Sequence, residues 1–326
     1  MRYRKLGATG LQVSEIGLGC SGFWGDRLFS DDKAIRVACE AFERGVNLFD
    51  TGHNYSNYNA EPRLGRALKK ILAGTDRSRI VVSTKAGTLT GAALRFPLSQ
   101  RKGTNYSPNY IESACSQSIR NLQCGYLDIF QLHAIRPDDL TDELLTRLAA
   151  MKKNGMYRYL GINTHRESDM AFVSQHPEIF DVALVDFNVL QLDRIKIIDR
   201  LAAAGIGVMA GTVLGQSHLF KGKIGRFRSL ADIWYFARAA AKPDARRLAK
   251  CAKAMQPVLS AVSEMTPPQA AVAFVLEHPV VATCVVGTTK IANLLELIET
   301  TDKRLSDESK TAIWRAFESQ AMRLSK

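Results

Sequence analysis

The chain has little with which to hold a metal or build a disulfide framework. Its six cysteines (20, 39, 115, 124, 251 and 284) form no Cys-x-x-Cys pair, and its six histidines show no His-x-x-x-His or His-x-His grouping. Neither a zinc-type site nor a stapled secreted scaffold is therefore expected, and no residue is assigned to a metal. No uncharged apolar run reaches the roughly 20 residues that a bilayer span requires; one such run lies near 279–287. Positive charge at Arg2, Arg4 and Lys5 is not followed by an apolar block, which argues against a signal peptide and makes the cytoplasm the expected compartment. Helix-turn-helix, zinc-finger and RNP-type motifs are also missing, so nucleic acid is not an expected partner despite a net charge of +12.

What is present suits a large packed core: 326 residues, 46% of them hydrophobic, with no Pro/Gly/Ser-rich linker to divide the chain. One domain over 1–326 is expected. Residues 3–6 and 11–13 flank a Gly7-Ala8-Thr9-Gly10 turn and read as a hairpin. Apolar strand candidates follow at 15–19, 47–50, 80–85, 127–133, 159–163, 182–186, 207–211 and 283–287. Amphipathic helices are expected at 32–44, 61–72, 108–122, 141–154, 168–176, 193–204 and 268–278, with capping hydroxyls at Ser107, Thr141 and Thr266. Eight strands alternating with helices predict an α/β fold of the (β/α)8 TIM-barrel type, with an N-terminal hairpin and a C-terminal helix. A doubly wound dinucleotide-binding sheet is the competitor. Gly17-Leu18-Gly19-Cys20-Ser21-Gly22 spells its GxGxxG, but no helix follows directly to receive a pyrophosphate.

Charge is unevenly spread. Between Lys221 and Lys250 nine basic residues face Asp232 and Asp244, so 9 − 2 = +7 of the +12 falls in an insertion at about 216–250. That segment is either a solvated surface or a cover over a phosphate-bearing cofactor. With 89–103 it is a candidate lid.

Three predicted strands end in proton-active side chains: Asp50 with Tyr55 five residues on, Lys85, and His133. In a parallel barrel the carboxyl ends of the strands form the catalytic face, so these four residues are expected in one pocket. The combination suits carbonyl reduction. A free phenol titrates near pH 10, and an adjacent ammonium favours its phenolate. Lys85 is placed to supply that ammonium, Asp50 to pair with Lys85, and His133 to hydrogen-bond the substrate oxygen. Hydride must come from a cofactor.

The chain resembles the aldo-keto reductase family in Arg4-Lys5-Leu6-Gly7, Phe49-Asp50-Thr51 through Tyr55 to Glu61-Pro62-Arg63-Leu64-Gly65, Thr84-Lys85, Tyr126 to His133, and Val286-Gly287-Thr288-Thr289-Lys290. The resemblance implies a catalytic tetrad of Asp50, Tyr55, Lys85 and His133, with the tyrosine as general acid or base. It also implies a nicotinamide cofactor at Gly19, Cys20, Asp50, Asn163, Gly211, Leu214, Gly215, Gln216, Gly287, Thr288, Thr289, Lys290 and Asn293. Lys290 favours NADP(H) over NAD(H) as a partner for the 2′-phosphate. Asn163 stands where the family has serine, Leu184 where it has glutamine, and Gly211 where it has a tyrosine stacked on the nicotinamide. Phe23, Trp24 and Tyr58 either wall the substrate pocket or pack beneath the loops. The expected partner is a small carbonyl or sugar substrate, with a homo-oligomer allowed and aldose dehydrogenases a live subclass. The alternative is a cofactor-binding regulatory or channel-associated subunit with little turnover, since the family includes potassium-channel beta subunits.

Overall fold

The computed structural model of the protein describes residues 1–90, 103–215, 219 and 245–324. Its strands are β1 (Tyr3–Lys5), β2 (Gln12–Ser14), β3 (Ile16–Gly19), β4 (Leu48–Asp50), β5 (Val81–Ala86), β6 (Leu127–His133), β7 (Tyr157–Thr164), β8 (Val182–Asp186), β9 (Gly207–Gly211) and β10 (Val281–Val286). The helices are α1 (Asp31–Glu43), α2 (Ala60–Leu72), α3 (Pro108–Leu122), α4 (Asp142–Lys153), α5 (Glu167–Ser174), α6 (Ile195–Ala203), α7 (Ala245–Ser260), α8 (Pro267–Leu276), α9 (Ile291–Glu299) and α10 (Asp307–Leu324). Strands β3 to β10 pair in parallel and close into one ring, β10 returning to β3, while β1 and β2 form the antiparallel hairpin. This is the expected (β/α)8 barrel. A closed ring rules out the open doubly wound sheet, and the glycines of the GxGxxG run serve the barrel instead. A Cβ on Gly17 would meet Leu48 Cδ2 at 2.5 Å.

Strand periodicity sorts the core into two layers. Residues pointing outward, among them Leu18, Phe49, Val82 and Phe130, join the helices in one large apolar cluster. Inward-pointing Leu48, Val81, Ile129, Val182, Leu184 and Met209 form a second cluster with Leu6, Leu11 and Val13 of the hairpin. The hairpin thus closes the amino end of the barrel. Ala8 N–H donates to Gly205 O at 2.8 Å, and Tyr159 Oη donates to Thr9 O.

Two of the three expected caps form: Thr141 Oγ1 accepts from Leu144 N–H at 3.2 Å and Thr266 Oγ1 from Gln269 N–H at 3.4 Å. Ser107 makes no side-chain cap. Its own N–H is taken by Asn105 Oδ1 at 2.9 Å, so a turn ahead of the helix does the orienting. Of the basic insertion, 216–218 and 220–244 lie outside the described residues, as do 91–102 of the other lid candidate. Residues 245–250 open α7.

Candidate active site

The inward face of three neighbouring strands reads, from floor to mouth, Leu48-Asp50, Val81-Ser83-Lys85 and Ile129-Gln131-His133. Because side chains alternate across a strand, each apolar floor residue is followed two positions later by a polar one. Pairing register aligns Asp50 with Ser83 and Lys85 with Gln131. Ser83 Oγ donates to Asp50 Oδ1 at 2.9 Å, and Gln131 Nε2 reaches both Asp50 Oδ1 (3.1 Å) and Ser83 Oγ (2.6 Å). Above this layer, Lys85 Nζ donates to Asp50 Oδ2 at 2.5 Å and to Thr51 O at 2.6 Å. Lys85 is 1% exposed and Asp50 4%. Burial acts to lower the lysine pKa, but the Asp50 carboxylate, with charge and hydrogen-bond contributions from Tyr55, outweighs it and holds Lys85 above its ordinary range. The ammonium is retained inside the barrel.

Tyr55 reaches the same point from the loop after β4. Lys85 Nζ lies 5.2 Å from the centre of its ring, and the rings of Tyr55 and His133 meet edge-on with centroids 5.7 Å apart. The sequence-predicted tetrad is therefore one cluster. His133 is anchored by Tyr106 Oη, which donates to its carbonyl at 2.6 Å.

The Glu61-Pro62-Arg63 motif holds the loops around this cluster. Glu61 is fully buried and accepts from Thr84 Oγ1 at 2.7 Å, pinning α2 to β5. Arg63 binds the carbonyls of Trp24, Asp26 and Phe29 and the carboxylate of Asp31, which shapes the loop after β3. In that loop Phe23 and Trp24 are core residues. Of the three expected aromatic residues only Tyr58, 38% exposed, presents a surface.

Apart from Asp50, which lies in the cluster with Lys85, the residues expected to meet a cofactor lie around the rest of the mouth. Gly19, Gly211 and Gly287 stand at or just past the ends of adjacent strands β3, β9 and β10. Cys20 is fully buried; burial first and the Asp50 charge second raise its thiol pKa well above the ordinary range. Asn163 donates from Nδ2 to Leu184 O at 3.1 Å, which fixes its amide. Leu184 is buried in the inner apolar cluster. Thr288 Oγ1 accepts from Lys290 N–H at 3.1 Å, so its hydroxyl shapes the turn into α9. Thr289 is half-buried, and Lys290 and Asn293 are exposed at the amino end of α9, whose first turn carries no acidic residue. A helix amino end with an exposed cation and no competing carboxylate fits a phosphate. Leu214 is half-buried and Gly215 buried, with φ +61°; Gln216 lies outside the described residues.

Sequence reasoning did not reach Ser83 and Gln131, nor a second polar group at the mouth. His165 Nδ1 lies 2.7 Å from Asp186 Oδ2, and Arg194 Nη1 donates to Asp186 O at 2.8 Å. Burial opposes the Asp186 charge, but hydrogen bonding and charge from His165, with Arg194 and Thr212, keep its pKa below the usual carboxylate value. A basic cleft of about 490 Å³ lined by Arg2, Arg4, Glu277 and Lys310 sits at the amino end, away from this chemistry. Its charge is largely used in pairs: both arginines bind Glu15, and Lys310 binds Glu277.

Comparison with known proteins agrees with this geometry. The model of the aldo/keto reductase family matches residues 15–317, and the chain belongs to that family of oxidoreductases. It is 27% identical over 317 residues to the uncharacterized oxidoreductase YqkF of Bacillus subtilis, covering 96% of this chain and 95% of that one. L-galactose dehydrogenase of Arabidopsis thaliana is 29% identical over 226 residues, 66% of each chain. The holo form of an aldo-keto reductase from Bacillus halodurans superposes with a TM-score of 0.75 at 24% identity, covering 97% of this chain and 96% of that one, which supports the fold.

Proposed function

We propose that this protein interconverts an aldehyde or ketone and its alcohol with a nicotinamide cofactor, Tyr55 transferring the proton. The observation that carries the reading is the buried Asp50–Lys85 pair at 2.5 Å with its ammonium against Tyr55. An ammonium kept charged by Asp50 stabilises the phenolate that Tyr55 becomes after donating to a carbonyl oxygen, and the reverse step regenerates the phenol. His133 orients the substrate oxygen. The bound nicotinamide supplies or accepts the hydride, which no side chain can do.

Asn163, through the amide oxygen that its bond to Leu184 leaves available, and Gly211 would receive the nicotinamide. Leu214, Gly215, Gly287, Thr289, Lys290 and Asn293 would hold the phosphates and adenosine end. Exposed Lys290 supports NADP(H) over NAD(H). A sugar-derived carbonyl is a fitting substrate class, given the similarity to L-galactose dehydrogenase. No helix among the described residues is long and apolar enough to cross a membrane, in keeping with a cytoplasmic enzyme.

Leu184 and Gly211 favour a second reading, a cofactor-binding subunit with little turnover, because they omit a hydrogen-bonding group and a ring from the nicotinamide site. Fluorescence titration with NADPH and NADH, followed by a panel of carbonyls and aldoses, separates the two. Turnover that vanishes in Tyr55→Phe supports the enzyme. Tight cofactor binding without turnover across the panel supports the subunit, and no binding of either cofactor overturns both.

A further inference from the structure

The hydrogen-bond chain behind His133 assigns a role to a residue that the tetrad does not include. Thr88 Oγ1 lies 2.7 Å from His133 Nδ1, and Asn54 Nδ2 donates to the same Thr88 oxygen at 3.0 Å. Thr88 and Asn54 are 6% and 8% exposed. The assembly is held from outside: Thr90 Oγ1 donates to Asn54 O at 3.1 Å, and the backbone of Thr88 bridges Thr104.

A threonine hydroxyl has one proton and two lone pairs. The Asn54 amide uses one lone pair. If Nδ1 carried a hydrogen and donated to the second, the Thr88 proton would need a third, buried acceptor, and among the described residues the hydrogen bonds of Thr88 include none. A buried O–H left unpaired is costly. The arrangement that pairs the Thr88 proton has its hydroxyl donating to Nδ1, which leaves the neutral imidazole with its hydrogen on Nε2.

We infer that Thr88, oriented by Asn54, is a positioning residue that holds His133 as the Nε2–H tautomer, so that His133 enters catalysis as a neutral hydrogen-bond donor. The inference rests on the proposed carbonyl chemistry. It divides the labour at the substrate oxygen: His133 donates a hydrogen bond without surrendering its proton, and Tyr55 transfers one. A mixture of tautomers would present the wrong lone pair to the carbonyl for part of the time.

The test is the ring-nitrogen spectrum of His133 in the 15N-labelled full chain, read together with turnover on a carbonyl the wild type reduces. The expected wild-type spectrum has a protonated Nε2 and an unprotonated Nδ1. Thr88→Val, which keeps the shape and removes the hydroxyl, should mix the tautomers and lower kcat by about tenfold to a hundredfold, below the 10²–10³ typical of deleting a donor outright. NADPH affinity should hold, and Thr88→Ser should restore both spectrum and kcat. A wild-type Nδ1–H tautomer, or Thr88→Val turning over at the wild-type rate, overturns the inference. A wild type that reduces no carbonyl overturns the proposed function instead, and the spectrum still decides the tautomer.

Discussion

The ring of Tyr55 lies across the face of Gly52: a Cβ placed on that glycine would stand 2.9 Å from Tyr55 Cε1 and 3.0 Å from Cζ. Residue 52 must therefore lack a side chain for the phenol to reach Lys85. Gly52→Ala should displace the ring and lower turnover, while a structure of the variant bound to NADPH shows the cofactor in place. Because effects of misplacement are steep, about 100-fold is expected for a shift near 1 Å. Wild-type kcat in folded Gly52→Ala would show that the ring moves without cost.

Tyr55→Phe and Lys85→Met should both remove most turnover, by about 100- to 10,000-fold, but they should part company in stability. Tyr55→Phe loses one hydroxyl. Lys85→Met leaves the buried Asp50 carboxylate without its cation, a change typically costing about 3–5 kcal/mol. Urea unfolding of both variants measures the difference, and Lys85→Met/Asp50→Leu should recover part of the loss.

Gly211 and Leu184 are neighbours as well as joint departures from the family pattern, since a Cβ on Gly211 would meet Leu184 Cδ1 at 3.3 Å. That contact is with the tip of a flexible side chain, so a larger residue is admissible. Gly211→Tyr should tighten NADPH binding by on the order of 1 kcal/mol, one aromatic stack. Adding Leu184→Ala should relieve the remaining crowding. An unchanged dissociation constant in both variants would show that another group already covers the nicotinamide face.

Lys290→Ala should weaken NADPH by roughly tenfold or more, the ratio corresponding to 1.4 kcal/mol, and leave NADH nearly unaffected. Both dissociation constants must be taken at one ionic strength because salt screens the exposed charge. Equal losses for the two cofactors would make Lys290 a bystander.

Asp186 supplies an acid-side prediction. Its folded pKa lies below the ordinary 3.8, so the stabilisation it provides is complete above that value and disappears as pH falls through the folded pKa. Asp186→Asn should accordingly be less stable than wild type near neutrality, and the gap should close below pH 3.8. A gap constant from neutrality down to that range would mean that the carboxylate charge is not what His165 and Arg194 hold.

Much of this was legible along the chain because strands and tetrad share one signal. Asp50, Lys85 and His133 each follow an apolar residue at even spacing and end an apolar run, and the same spacing held Ser83 and Gln131, which sequence reading passed over. The burial of Trp24 and the failed cap at Ser107 depended on contacts that spacing does not encode: Arg63 gathering a loop more than thirty residues away, and an Asn105 side chain arriving first. Thr88 meets His133 across forty-five positions, and Gly52 matters only because a ring folds back over it. The Thr88–His133 pairing appears only when the strands are set side by side in the barrel.

The hairpin that floors the barrel imposes an order on folding. Leu6, Leu11 and Val13 emerge from the ribosome long before Met209, yet they are buried against it and against Val182. Until β9 exists, these residues have only part of their binding surface. The apolar seal is thus set by contacts of very long sequence separation, the kind that form late and slow the search for the native state. The Asp50–Tyr55–Lys85–His133 cluster, which spans β4 to β6, is synthesised whole before the cup beneath it has a complete wall, whereas Asn163, Gly211 and Gly287 at the same mouth come only with β7, β9 and β10.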